Sequence, residues 1–234
     1  MSVAFSLAFL AEPALSLGQG SPAPPSRVAL QVSKPPDFNK KIYYRNKTEF
    51  SLEMGVLPIN TPFLFDFFVG LPFHRTTPLH YTLVPFIASL RWHLNDVRGP
   101  WILRGNTDLT NSLSYTAIVR GPETYYWAYI IGLRRNFVQR NWKFVPYFEG
   151  RFGLGLTDAK GPQGVIGAQG QDFTFTLMLG SGVRHNFNPR YAMAFGAGYM
   201  HISNGSLSRP KIPNNGLNVL GPMVEFDMRL GKPK

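Results

Sequence analysis

Beyond about residue 45, apolar and polar residues alternate in stretches of roughly 10 to 14 residues, the length a tilted strand needs to cross a bilayer. Eight such segments are predicted: Lys47–Val56, His80–Trp92, Asn111–Arg120, Thr124–Asn136, Lys143–Thr157, Gln171–Phe187, Arg190–Ser203 and Gly216–Leu230. Short punctuation at Gly121-Pro122, Arg140-Asn141 and Asn188-Pro189 alternates with longer loops such as Asp158–Gly170 and Gly205–Asn215. Short turns at one end and long loops at the other are the pattern of an up-and-down barrel.

Parity separates a membrane barrel from a soluble sandwich, because successive side chains of a strand point to opposite faces. In the seventh segment Tyr191, Met193, Phe195, Ala197, Tyr199, His201 and Ser203 share one face, and Ala192, Ala194, Gly196, Gly198, Met200 and Ile202 the other. In the fifth, Phe144, Phe148, Phe152, Leu154 and Leu156 oppose Tyr147, Glu149, Arg151, Gly153 and Gly155. Charges therefore sit with the glycines. A narrow lumen filled by small residues and ion pairs, with a lipid-facing belt outside, accounts for this better than a water-soluble core. By parity Phe195 and Tyr199 face lipid, while Glu225 and Asp227 face the lumen as partners of Arg229 or Arg184. The fold class read from these patterns is all-β: an eight-stranded antiparallel transmembrane β-barrel.

Composition agrees. The 23 Gly, 20 Pro and 14% aromatic residues of this 234-residue chain suit strands and turns in one domain. The richest apolar run, Phe63–Leu71, contains Asp66 and is too short for a spanning helix. With no cysteine there is no thiol catalysis and no Cys-based metal site. A net charge of +11 points to an anionic partner, and because the basic residues are scattered, a phosphate-bearing membrane surface fits better than nucleic acid. At the N-terminus the apolar stretch Val3–Leu10 and the small-x-small Ala14-Leu15-Ser16 read as an export signal, followed by the Pro-rich linker Ser21–Ser26. Residues 1–26 are accordingly assigned to signal and linker and residues 27–234 to the barrel, with ordered structure expected from near residue 45.

One stretch of the outer belt is polar. His201 and Ser203 share a face about 6.6 Å apart along the backbone, a gap that an imidazole and a leaning hydroxyl can close. A serine with a base in reach meets the first requirement for an activated nucleophile. A lone His-x-Ser is weak evidence, since a strand end near water looks the same. The context adds more: His201-Ile202-Ser203-Asn204, then Pro213-Asn214-Asn215-Gly216, with weaker similarity at Pro146–Gly150 and Gly180–Val183. Together these residues resemble the lipid A 3-O-deacylases of the PagL type, outer-membrane acyl hydrolases.

The resemblance implies a bacterial outer-membrane esterase that removes the 3-O-linked acyl chain of lipid A, its site on the lipid-facing wall and its partner lipopolysaccharide. It implies Ser203 as nucleophile and His201 as base, with Asn204, Asn214 and the backbone from Gly205 onward as oxyanion donors. No metal or other cofactor is expected. The family's third member is a Glu two residues after the motif glycine, where this chain has Asn218. An amide can orient a histidine but offers no carboxylate to stabilise an imidazolium.

Other candidates read as structural. His74, His80, His93 and His185 lack metal-ligand spacing and suit turns or interfaces, Glu149 and Asp172 suit lumen ion pairs, and Trp92, Trp101, Trp127 and Trp142 suit interfacial girdles. Two rivals stand beside the esterase: a non-catalytic structural or adhesive barrel that has lost the family's carboxylate, and a soluble periplasmic lipid carrier with Phe195 and Tyr199 inside.

Overall fold

The computed structural model describes residues 37–64, 79–213 and 216–231. The export segment and linker expected at residues 1–26, together with His74 and Asn214, lie outside the described residues.

Strands β1 (Thr48–Gly55), β2 (Ile59–Asn60), β3 (Thr82–His93), β4 (Asn106–Arg120), β5 (Tyr125–Asn136), β6 (Phe144–Thr157), β7 (Phe173–Asn186), β8 (Tyr191–Ser203) and β9 (Leu217–Arg229) form one sheet. From β3 to β9 each strand pairs antiparallel with the next, and β1 pairs with both β3 and β9, so the sheet closes. Closure leaves no unpaired edge among the long strands, which a bilayer requires.

The short β2 prolongs β1 along β9. Val56 N–H donates to the Pro222 carbonyl, Ile59 and Asn60 lie opposite Leu220 and Val219, and Thr61 N–H donates to the Asn218 carbonyl. Between the two strands Leu57 turns away to exchange hydrogen bonds of 2.8 and 3.2 Å with Leu83. The first stave of an eight-stave barrel therefore runs on past the end of β1, and Pro58, which has no N–H to donate, sits in its break.

The eight predicted segments become the eight long strands with ends shifted by a few residues. The largest shift is in β4, which begins at Asn106 rather than Asn111. Its inward positions Asn106, Asp108, Thr110, Ser112, Ser114 and Thr116 are all polar and buried, so a search for apolar alternation misses its first turn of pairing. Residues before the expected start near residue 45 also take part in the packing. Asp37 caps the 3-10 turn Phe38–Lys41, and Ile42 and Tyr43 pack with Val138 and Val145 at one end of the barrel.

The inward and outward faces follow the predicted parity. Phe148, Phe152, Leu154, Leu156 and Phe195 are exposed on the outer wall, whereas Glu149, Arg151, Ala192 and Ala194 are buried. The interior has two parts: buried charges fill the half nearer the start of β1, and an apolar cluster that includes Leu83, Ile87, Tyr126, Met200 and Ile202 fills the half toward the end of β8. An apolar exterior around an interior that holds the charges is the arrangement of a transmembrane barrel. Trp92, Trp101, Trp127 and Trp142 are all exposed, Trp92, Trp101 and Trp142 near the end that holds the start of β1 and the end of β9, and Trp127 near the other.

Inside, Arg91, Arg134, Arg151 and Arg184 are buried among Glu49, Glu53, Glu149, Glu225 and Asp227. Glu149 accepts from Arg151 at 2.8 Å, as predicted, and from Arg134 at 2.8 Å. Asp227 lies 3.3 Å from Arg184, but Glu225 pairs with Arg91 and Arg134 rather than with Arg184 or Arg229. Their strands face one another across the lumen, a relation that spacing along the chain does not carry. Two further readings are corrected. Asp172 is exposed in a loop, where it accepts from Ala159 N–H, because β7 starts only at Phe173. His93 is neither in a turn nor at an interface: it is buried in the lumen, 3.2 Å from Glu49 and 3.0 Å from the Asn106 amide.

The connections that follow Ser203 and Thr157 stand at the end opposite to the start of β1 and the end of β9. The short turn Gly121–Thr124 shares that end, and the longer connection 94–105 is at the other, so the expected alternation of loop lengths is incomplete. Asp158 ties the long-loop end together. Partial burial alone would raise its carboxyl, but the Thr124 N–H, Lys160 at 2.9 Å, the Thr124 hydroxyl and the Tyr125 N–H hold it down at about 2.

Candidate active site

At the long-loop end of β8 the outward row Tyr199, His201, Ser203 meets Asn218 of β9, which lies directly opposite His201 in the register. His201 Nε2 is 3.1 Å from Ser203 Oγ, and His201 Nδ1 is 2.7 Å from Asn218 Oδ1. An amide oxygen only accepts, so Nδ1 carries the imidazole proton and Nε2 presents its lone pair to the serine hydroxyl. Such a chain can move a proton from Ser203 to His201.

Two glycines shape this site. Gly205, at φ +59°, turns the chain two residues after Ser203, and its N–H donates to Ser203 Oγ at 3.4 Å. Gly216 holds φ +62°, and a Cβ there would stand 3.0 Å from His201 Cε1 and 3.1 Å from Ser203 Cβ. The motif glycine is thus required twice, by its left-handed backbone and by the room it leaves for the histidine and serine.

Asn204 is buried and holds the loop together. Its Oδ1 accepts from Ser206 N–H at 3.0 Å, and its Nδ2 donates to Ser208 Oγ at 2.7 Å. The 158–172 loop packs against the same turn, since Gln169 reaches the Ile202 carbonyl and a Cβ at Gly170 would meet Ser208. Arg209 and Lys211, in the loop after Ser203, are exposed and have no ion pair among the described residues.

The structure brings His201, Ser203, Asn218 and Gly205 together; His201 and Ser203 are half-buried and Gly205 is exposed, but the wall beside them at Tyr199 and Asn218 is covered. Phe195 is 58% exposed, whereas Tyr199 and Asn218, also outward by parity, are only 2% and 3% exposed. The reading that Tyr199 faces lipid is thereby corrected. The chain beyond β2 crosses the outside of the barrel here: the Phe63 ring lies 4.4 Å from the His201 ring, centroid to centroid, and Leu64 N–H points at Tyr199 Oη from 3.5 Å. Tyr199 in turn donates to Asn218 Oδ1 at 2.6 Å. Neither Phe63 nor Tyr199 was marked by the sequence motifs. The signal for Phe63 was present only as the richest apolar run of the chain, with nothing to say where it packs.

Among family models, that described as "Lipid A 3-O-deacylase (PagL)" matches residues 86–227, more than half of the chain. Among solved structures, the crystal structure of the outer membrane enzyme PagL is 14% identical with a TM-score of 0.49, covering 76% of this chain and 97% of that one. The backbone structure of the outer membrane protein Ail of Yersinia pestis, in a phospholipid bilayer nanodisc, is 13% identical with a TM-score of 0.36, covering 80% and 100%. No curated protein matches the chain.

Proposed function

The chain belongs to the lipid A 3-O-deacylase family, and from that premise we propose that it hydrolyses the 3-O-linked acyl ester of lipid A with Ser203 as nucleophile and His201 as base. As a barrel of the bacterial outer membrane it sits where lipopolysaccharide is its neighbour. The observation that carries the reading is the bridging position of His201, 3.1 Å from Ser203 Oγ on one side and 2.7 Å from Asn218 Oδ1 on the other.

In the first step Ser203 Oγ attacks the ester carbonyl and its proton passes to His201 Nε2. The oxyanion that forms meets N–H donors of the turn, with Gly205 N–H nearest and the amides of Asn204 and Asn214 as side-chain candidates. Collapse breaks the carbonyl–oxygen bond to the sugar. His201 returns the proton to that leaving oxygen, and the acyl group remains on Ser203. Water, deprotonated by His201, then attacks the acyl carbonyl, the bond to Ser203 Oγ breaks, and His201 passes the proton to Ser203 Oγ as the fatty acid leaves. Arg209 and Lys211 would meet the phosphates of lipid A beside the site, which gives the basic balance of the chain a local use.

The rival with an observation of its own is a barrel without activity, because Asn218 offers His201 no negative charge. A fluorophosphonate probe separates the two. The expected result is stoichiometric labelling that Ser203→Ala removes, together with release of 3-hydroxy fatty acid from lipopolysaccharide that Ser203→Ala and His201→Ala each abolish. The two losses should not add, since nucleophile and base act as one unit. An unlabelled protein that releases no fatty acid would leave the inactive barrel standing.

A further inference from the structure

We propose that Tyr199 is a positioning residue: its hydroxyl determines which way round the Asn218 amide lies, and so which nitrogen of His201 is left free to act as a base. This rests on the esterase reading and adds to it the reason an amide suffices beside the histidine.

The two ends of a carboxamide are nearly equal in size, yet they have opposite consequences here. With Oδ1 toward His201, the imidazole proton sits on Nδ1 and Nε2 can accept from Ser203. With the amide turned over, Nδ2 would donate to Nδ1, the imidazole proton would move to Nε2, and that N–H would point at Ser203 Oγ. The second arrangement has no base. A carboxylate is indifferent to the choice because both its atoms accept. An asparagine at this position needs something to select its orientation.

Tyr199 is placed to do so. It stands two residues before His201 on the same face of β8, and its hydroxyl is 2.6 Å from the same Asn218 Oδ1 that lies 2.7 Å from His201 Nδ1. Both lengths suit an oxygen acceptor, and the first is typical of O–H···O rather than of an amide N–H donor. Leu64 N–H, which can only donate, is aimed at the Tyr199 oxygen from 3.5 Å. A turned amide would bring a second N–H onto that oxygen, whereas the observed one receives its proton. Tyr199 is 2% exposed, so water competes little for either bond. The arrangement has a cost that its surroundings must offset: Asn218 Nδ2 is buried with no hydrogen-bond partner among the described residues.

The test is Tyr199→Phe, which removes the hydroxyl and keeps the ring, made in the native chain and in Asn218→Asp, which replaces the amide by an isosteric group with two acceptors. In the native chain Tyr199→Phe should lower kcat on lipopolysaccharide about tenfold with KM little changed, the worth of one hydrogen bond to a group that orients the base. In the Asn218→Asp chain the same change should cost at most about twofold. Nitrogen NMR of His201 in the refolded barrel should show the proton on Nδ1 in the native chain and a larger Nε2–H population after Tyr199→Phe. An equal loss in both backgrounds, or an unchanged tautomer after Tyr199→Phe, would overturn the proposal. Because the tautomer is read without turnover, a chain that releases no fatty acid would fail the esterase reading while the NMR result still decided the role of Tyr199.

Discussion

Phe63 lies against the imidazole of His201, ring centroids 4.4 Å apart and planes tilted by 37°, although the two belong to opposite ends of the barrel sequence. The contact exists because the first stave does not stop at Gly55. It bulges at Val56–Pro58, re-pairs with β9 at Ile59 and Asn60, and so delivers residues 61–64 onto the outer face of β8. Phe63 is also outside residues 86–227, the part that matches the family, so this wall of the site is built from a stretch the family match does not include.

Phe63→Ala should therefore lower turnover on lipopolysaccharide by roughly two- to tenfold, the range expected when a ring contact worth about 0.5–1.5 kcal/mol no longer holds the base in place. The barrel should still fold, as judged by heat-modifiable migration in detergent, because no backbone pairing depends on the ring. Unchanged turnover would mean that the stack does not restrain His201.

Gly216→Ala should have a larger effect. Backbone strain at φ +62° and a methyl group 3.0 Å from His201 and 3.1 Å from Ser203 act together, and a displacement of the pair by about 1 Å is enough for a loss on the order of a hundredfold. Gly164→Ala, at φ +88° with nothing within 4 Å, carries the backbone strain alone and is the control. Equal turnover in the two variants would show that space at Gly216 is not what the site needs.

Arg134→Ala should act on stability and leave turnover per folded molecule alone. The side chain is fully buried, bonds Glu149 and both oxygens of Glu225, and lies 4.0 Å over the Tyr147 ring. Its loss leaves two carboxylates without their main partner in the lumen, at a cost of about 3–5 kcal/mol. Urea unfolding of the barrel refolded in lipid vesicles would measure it. A midpoint equal to that of the native chain would show that the remaining arginines absorb the charge.

Much of the site was legible in order along the strand. His201 and Ser203 two residues apart fall on one face, and Asn218, at an even spacing from Leu220 and Phe226, falls on the matching face of the next strand. The glycine of Pro213-Asn214-Asn215-Gly216 was legible as a motif, but the reason for it was not. The reason is the closeness of His201 and Ser203 to its missing Cβ, which is a distance across strands. Asn204, expected beside the oxyanion, spends its observed hydrogen bonds on Ser206 and Ser208, a use that depends on how the loop turns back on itself.

The sequence by itself determined what is local and periodic: eight strands, an apolar outer face, an inner one that takes the charges and small residues, and a histidine and serine on the same side. A period of two residues is a property of the strand, so it can be read wherever the strand is recognised. Only the tertiary structure decided what depends on closure and register. It paired Arg134 with Glu225 across the lumen, set Asn218 opposite His201, and turned Tyr199 from an expected lipid-facing residue into a buried hydrogen-bond donor. These contacts join residues far apart along the chain, and whether an outward side chain meets lipid or protein depends on where another segment crosses the wall. That crossing follows from a bulge at Val56–Pro58, which the alternation of the strand does not encode.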